Sequence, residues 1–198
     1  MIMHANRHKV GLYFGSFNPI HIGHLIIANH ILQTTPLGEI WFVVSPNNPF
    51  KEKKSLLNEH QRFYMVKLAI EDNPLFKVSD IEFNLPIPSY TIITMLALEG
   101  KYPTKEFALI MGEDNLRGLH KWKNYEQLLS NYQFYVYPRP GYACETTELN
   151  KNIHFLESAP LLELSASHIR QLIKEGKSIQ YLVPQAVADY IDKFMLYK

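Results

Sequence analysis

The chain of 198 residues has a single cysteine, Cys144, which excludes an intrachain disulfide. No His or Asp lies close to it in sequence, so it has no local partner for a catalytic thiol. An excess of one charge is missing as well. The 20 Lys and Arg face 19 Asp and Glu, for a net charge of +1. That balance excludes the overall footprint of a dedicated nucleic-acid binder, while positive charge gathered at a small phosphate site stays invisible in the sum. No apolar run approaches the roughly 20 residues of a spanning helix. The N-terminus, MIMHANRHK, lacks the apolar core of a signal peptide. A soluble cytoplasmic protein with no membrane or nucleic-acid partner is the expectation. Internal repeats, low-complexity tracts and clear linkers are also absent.

What is present is a well-supplied core, 46% hydrophobic and 13% aromatic. That suits one domain over residues 1–198. The stretch from Val10 to Thr34 organises the chain. Val10 to Phe14 is an apolar run suited to a buried strand, and Gly15, Ser16, Asn18 and Pro19 mark a turn. His21-Ile22-Gly23-His24 follows, then a helical pattern through Leu25, Ile26, Ala28 and Ile31. A strand, a Gly-containing loop and a helix start aim backbone N–H groups and the positive helix end at one place, which favours phosphate. His21 and His24 sit at that helix start and can donate to phosphoryl oxygens, or hold positive charge if protonated.

Further apolar segments alternate between strand and helix patterns. Strands are expected at Glu39–Val44, Phe76–Phe83, Phe107–Met111, Gln133–Tyr137 and His154–Leu156, with Gly38 closing the first unit. Helices are expected from an Asn58 cap to about Asp72, from a Ser89 or Thr91 cap to Gly100, at Tyr125–Leu129, over Ala166–Glu175, and from Pro184 onward. The alternation predicts an α/β fold, a doubly wound parallel sheet with helices on both faces. A C-terminal helical part spans about 165–198. The loop Ser45 to Lys54 carries Lys51, Lys53 and Lys54 after a strand's carboxyl end, the edge where open α/β sheets bind ligands. Residues 139–152 are the expected variable loop. In Ser165-Ala166-Ser167-His168-Ile169-Arg170, two hydroxyls flank a helix start and an arginine follows about one turn in, another arrangement suited to phosphate.

The Gly-Ser-Phe-Asn-Pro-Ile-His-Ile-Gly-His run resembles the H-x-G-H signature of the nucleotidyltransferase superfamily, whose chemistry is attack on the α-phosphate of ATP. With Pro46 to Lys51, Glu59 to Arg62, Pro88-Ser89-Tyr90-Thr91, Gly112-Glu113-Asp114, the Trp122 segment and Ser165 to Arg170, the likeness becomes specific. The chain is similar to the bacterial nicotinate-nucleotide adenylyltransferase family from Val10 to about Phe194. The resemblance implies a Rossmann-like fold of nucleotidyltransferase type. It implies adenylyl transfer from ATP to nicotinate mononucleotide, with Mg²⁺ on the ATP phosphates and no metal held by the protein. It also implies site residues. His21, His24, Lys51 and Arg170 are the catalytic set. Gly15, Ser16, Phe17, Ser165 and Ser167 join the two histidines and Arg170 around ATP. Tyr90, Thr91, Asp114 and Trp122 serve the pyridine mononucleotide, with Asp114 on a ribose hydroxyl and Trp122 under the ring. A homo-oligomer is left open.

Two positions depart from the family pattern: Asn18 stands where Asp is common, and Phe50 where His is common. Other readings remain beside this one. Nicotinamide mononucleotide or phosphopantetheine is an alternative acceptor, although the pantetheine-phosphate family lacks the tryptophan segment. A non-catalytic nucleotide sensor is favoured only by Asn18. A fragment of an aminoacyl-tRNA synthetase is disfavoured by the lack of a Lys-Met-Ser-Lys-Ser-like loop.

Overall fold

The computed structural model describes residues 6–46, 56–142 and 150–198. Six parallel strands form one sheet in the order β3-β2-β1-β4-β5-β6. They are β1 (Asn6–Gly15), β2 (Leu37–Val44), β3 (Phe76–Ser79), β4 (Glu106–Gly112), β5 (Gln133–Tyr137) and β6 (Ile153–Phe155). Parallel neighbours need crossovers, and helices supply those between the strands from β1 to β5. These are α1 (Ile22–Thr34), α2 (Glu59–Ile70), α3 (Thr91–Lys101), α4 (Glu113–Leu116) and α5 (Tyr125–Asn131). Helices α6 (Ala166–Lys174) and α7 (Gln185–Lys193) complete the chain. The parallel sheet with helices around it is as expected.

Strand periodicity explains the two-sided core. Ile40, Phe42 and Val44 of β2 join one apolar cluster with Ala108 and Ile110 of β4 and Tyr135 of β5. The residues between them, Trp41 and Val43, Phe107, Leu109 and Met111, and Phe134 and Val136, join the other. Successive side chains point to opposite faces, so a strand buried on both sides reads as an unbroken apolar run. The first cluster is closed by Ile27 and Ile31 of α1, Met65 and Val66 of α2, Ile169 of α6 and Val187 and Ile191 of α7. The second is closed by Ile92, Met95 and Leu98 of α3 and Leu128 of α5.

Several local readings change. Gly38 lies inside β2 rather than closing a unit, because β2 starts at Leu37 and is buried at every position but Glu39. The strand expected over Phe76–Phe83 ends at Ser79, and a 3₁₀ turn over Ile81–Asn84 follows. Its apolar alternation continued past the point where the chain turns, which made the turn invisible. Asn58 caps α2, accepting from the His60 N–H at 2.9 Å. The cap of α3 is Tyr90, in extended geometry, and not Ser89 or Thr91. Lys51, Lys53, Lys54, Phe50 and Cys144 lie outside the described residues.

Strand order reverses between β1 and β4, which lie side by side at the middle of the sheet. In a doubly wound sheet the carboxyl ends of two such strands leave a crevice, the general place for a ligand.

Candidate active site

Two adjoining cavities open at that crevice. One, of about 320 Å³, is lined by Gly15, Ser16, Phe17, His21, His24, Ser165, Ser167 and Arg170, with Asp114 and Arg139. The other, of about 400 Å³, is lined by Tyr90, Thr91, Asp114 and Trp122, with Glu82, Ser89, Lys121 and Lys123. Gly15, Ser16, Tyr13, Tyr137 and Asp114 line both. The structure therefore gathers every described residue expected at ATP into the first cavity. Every residue expected at the mononucleotide lies in the second.

His21 is the N-cap of α1, and His24 sits one turn in. The His24 Nδ1 accepts the His21 backbone N–H at 3.2 Å. An imidazole that accepts at Nδ1 carries its proton on Nε2, which makes Nε2–H the donor for an anion. The two rings stack at 3.7 Å between centroids. A Cβ on Gly23 would lie 3.1 Å from the His21 Nδ1, so the glycine between the histidines leaves room for that ring. His21 itself is buried, and its Nδ1 has no hydrogen-bond partner among the described residues. Burial, then the positive field of Arg139, pull its pKa down to about 4. A charged His21 was one option left by the sequence, and the structure removes it at neutral pH.

This has a consequence for stability. The unfolded imidazole titrates near 6.5, so the His21 contribution is complete above that pH and is lost as pH falls toward 4. Acid scans should show up to about 3 kcal/mol lost over this window, and His21→Gln should flatten that part of the profile. Identical acid profiles for the two proteins would mean that His21 is not held neutral.

The turn before the histidines is braced from three sides. Phe17 has a left-handed backbone, φ 43, and a buried ring packed against Tyr13, His24 and Phe42. Phe17 also lines the first cavity. The Asn18 Oδ1 accepts from Leu57 N at 3.3 Å and from the Tyr197 hydroxyl at 2.8 Å. Asn18 thus braces the turn through an acceptor oxygen, which an amide supplies as a carboxylate would. Arg170 donates to the Asn18 carbonyl at 2.7 Å and to the Ser167 Oγ at 3.1 Å. Ser165 caps α6, accepting from His168 N at 3.2 Å. Arg170 therefore ties the helix start of α6 to the turn of β1, and so holds two N-termini around one cavity.

Sequence reasoning gave no role to three residues that shape the site. Arg62 is fully buried and donates to the carbonyls of Ser16, Ser45, Leu57 and Pro46 at 2.6, 2.9, 2.9 and 3.3 Å. It fixes the ends of both β1 and β2. Arg139, in a segment that read only as a strand end, lies 3.7 Å from the Asp114 carboxylate and faces the first cavity. Among the described residues the Asp114 Oδ1, the oxygen that faces Arg139, is buried without a hydrogen-bond partner. Glu82, 2% exposed, lines the second cavity. Lysine and arginine side chains in a sequence carry no mark of such burial, and only Arg62 had a motif around it.

Comparison with known proteins gives the family. The cytidylyltransferase-like family model matches residues 12–172. A Flavobacterium johnsoniae protein named "Probable nicotinate-nucleotide adenylyltransferase" is 55% identical over 96% of this chain and 99% of its own. A Bacteroides fragilis protein of the same name is 45% identical over 90% of this chain and 89% of its own. The chain belongs to the nicotinate-nucleotide adenylyltransferase family. The nicotinic acid mononucleotide adenylyltransferase of Plasmodium falciparum, solved with NaAD, shares the fold at a TM-score of 0.80 and 20% identity, over 96% of this chain and 98% of that one. In this member of the family, His21, His24, Ser165, Ser167 and Arg170 line one cavity. Ser89, Tyr90, Thr91, Gly112, Asp114 and Trp122, from three further motif segments, line the neighbouring cavity. Among the described residues no helix is long and apolar enough to cross a membrane.

Proposed function

We propose that the chain transfers the adenylyl group of ATP to nicotinate mononucleotide, giving nicotinate adenine dinucleotide and pyrophosphate, as a cytoplasmic enzyme of NAD biosynthesis. The single domain spans residues 1–198, with the Ser-x-Ser-x-x-Ile-Arg segment in its C-terminal helical part. The observation that carries this reading is the pair of cavities that meet at Gly15, Ser16 and Asp114. Two nucleotides seated in them bring their phosphates together at the carboxyl ends of β1 and β4. A neighbour of this fold has been solved with NaAD and with APC.

The reaction needs no protein nucleophile. An oxygen of the mononucleotide 5′-phosphate forms a bond to the α-phosphorus of ATP, and the bond from that phosphorus to the bridging oxygen breaks. Pyrophosphate leaves with that electron pair. Both reactants are anions, so positioning and charge stabilisation are the protein's tasks. The His24 Nε2–H is the donor assigned to the α-phosphate, where charge shifts in the transition state. Neutral His21 orients against the same group. Ser167, the first-turn N–H groups of α6 and Arg170 take the β and γ phosphates. Lys51, outside the described residues, is the further cation assigned to them. ATP enters as its Mg²⁺ complex. The first cavity presents donors and cations suited to phosphate oxygens, and its one carboxylate, Asp114, faces Arg139. Among the described residues no group of three or more His, Cys, Asp or Glu is placed to hold an ion.

On the acceptor side, Asp114 takes a ribose hydroxyl and the Trp122 indole stacks on the pyridine ring. The first-turn N–H groups of α3 at Tyr90 and Thr91 face the ring substituent. Lys123 sits 4.6 Å over the Tyr90 ring. Trp122→Ala should raise KM for nicotinate mononucleotide about tenfold, the worth of a stacking contact of 1–2 kcal/mol, and leave KM for ATP unchanged. Steady-state kinetics with each substrate varied in turn decides this. An equal rise in both constants would make Trp122 a packing residue and would weaken the acceptor assignment.

A further inference from the structure

Glu82 is a buried carboxyl that the chemistry above does not use. It sits in the 3₁₀ turn between β3 and α3, and it forms part of the wall of the acceptor cavity. Thr94 of α3 donates to its Oε1 at 2.7 Å. Among the described residues, its Oε2 and the Ser89 Oγ are both buried without a hydrogen bond of ordinary geometry. The side chains that act on the carboxyl are hydroxyls: Thr94 from α3, Ser45 from the end of β2, and Ser89 from the segment before α3. The charged groups along the same cavity are Asp114, Lys121 and Lys123, beside the hydroxyls of Tyr13, Tyr90 and Tyr137. From α2, Arg62 binds the Ser45 carbonyl and His60 packs its ring 5.2 Å from that of Phe83. Burial raises the Glu82 pKa above the ordinary carboxylate range, and the three hydroxyls oppose the rise.

A cavity with this wall must accept an acceptor whose ring bears a carboxylate. Two carboxylates sharing a low-dielectric site do not both stay ionised cheaply, and the second to ionise has its pKa raised. An amide substituent sets no such conflict, because its NH₂ can donate to an ionised Glu82. We propose that Glu82 is a specificity-determining residue of the acceptor cavity. It takes up a proton when a mononucleotide with an anionic ring substituent binds, and takes up none when the substituent is an uncharged amide. The proton comes from solvent to Glu82 and no other bond changes. Protonated, the carboxyl becomes a donor that Ser89 Oγ or the substituent can accept. The inference rests on the acceptor assignment above.

Proton uptake is read directly by titration calorimetry in two buffers of different ionisation enthalpy, with a non-hydrolysable ATP analogue present. Nicotinate and nicotinamide mononucleotides are compared at a pH where free Glu82 is ionised. Their phosphates titrate alike and cancel in the difference. In the wild type the acid should take up more protons than the amide, with a difference approaching about one. Glu82→Gln keeps the shape and should bring the difference to zero. In turnover, the KM ratio of acid to amide should climb by up to about tenfold per pH unit above the Glu82 pKa, and should be flat in Glu82→Gln. Equal uptake for both ligands in the wild type, or a difference that survives Glu82→Gln, overturns the proposal. If Glu82→Gln fails to fold, the wild-type difference and its pH dependence decide alone. Failure of both mononucleotides to bind overturns the functional reading and this proposal with it. Binding of both with equal uptake overturns the proposal alone.

Discussion

His24→Ala should lower kcat about 10²- to 10³-fold, the range for removing one preorganised donor from a site of developing charge. KM for ATP should stay within about twofold, because the contact strengthens only as charge shifts. The expectation follows from the tautomer. The His21 backbone N–H occupies the His24 Nδ1, so the ring offers Nε2–H toward the first cavity. Losing that ring also removes a cap contact at the start of α1, worth roughly 1 kcal/mol of stability. Thermal unfolding of the variant separates this modest loss from the kinetic one. A folded variant with near-normal kcat would remove His24 from the mechanism.

Arg62→Ala should cost about 3–5 kcal/mol of folding stability, the largest structural effect expected in the chain. Four carbonyls lose a charged donor, and a fully buried side chain leaves a cavity. Burial lowers the Arg62 pKa and the field of the Glu59 carboxylate opposes the fall; the guanidinium stays charged at neutral pH, and its hydrogen bonds all go to carbonyl dipoles. Arg62→Lys retains the charge but not the planar fork that reaches Ser16, Ser45 and Leu57 together. It should recover only part of the loss. Denaturant unfolding of both variants measures the effect. A loss under about 1 kcal/mol for Arg62→Ala would mean that the turn of β1 and the end of β2 hold their shape without it.

Much of this was legible in the residues, for physical reasons. Runs such as Trp41-Phe42-Val43-Val44 and Phe107 to Met111 are apolar without interruption because both faces of a parallel strand are covered. The helix starts at His21 and Ser165 were legible because a glycine, a turn and capping side chains must precede a helix that faces an anion. Other features follow only from the folded chain. Nothing local in Ile81-Glu82-Phe83 separates a strand from a 3₁₀ turn, and the difference places Glu82 under the acceptor cavity. Tyr90 replaces Ser89 as the cap of α3, which leaves the Ser89 hydroxyl buried at the cavity wall beside Glu82. The sequence placed Arg62 in a family motif and Arg139 at a strand end but gave neither a role, because an arginine's burial depends on carbonyls and carboxylates brought from distant segments. The low pKa of His21 has the same origin, since its burial and the field of Arg139 both come from tertiary structure.

The central claim is that the two cavities seat ATP and a pyridine mononucleotide for in-line adenylyl transfer. Pyrophosphate release from ATP and Mg²⁺ tests it most directly, measured with nicotinate mononucleotide, with nicotinamide mononucleotide, and with neither. The account predicts rapid release with the acid, much slower release with the amide and none without an acceptor, together with one nicotinate adenine dinucleotide per pyrophosphate. ATP binding without release in the presence of either mononucleotide would contradict it, and would leave a nucleotide sensor or an enzyme for another phosphate acceptor.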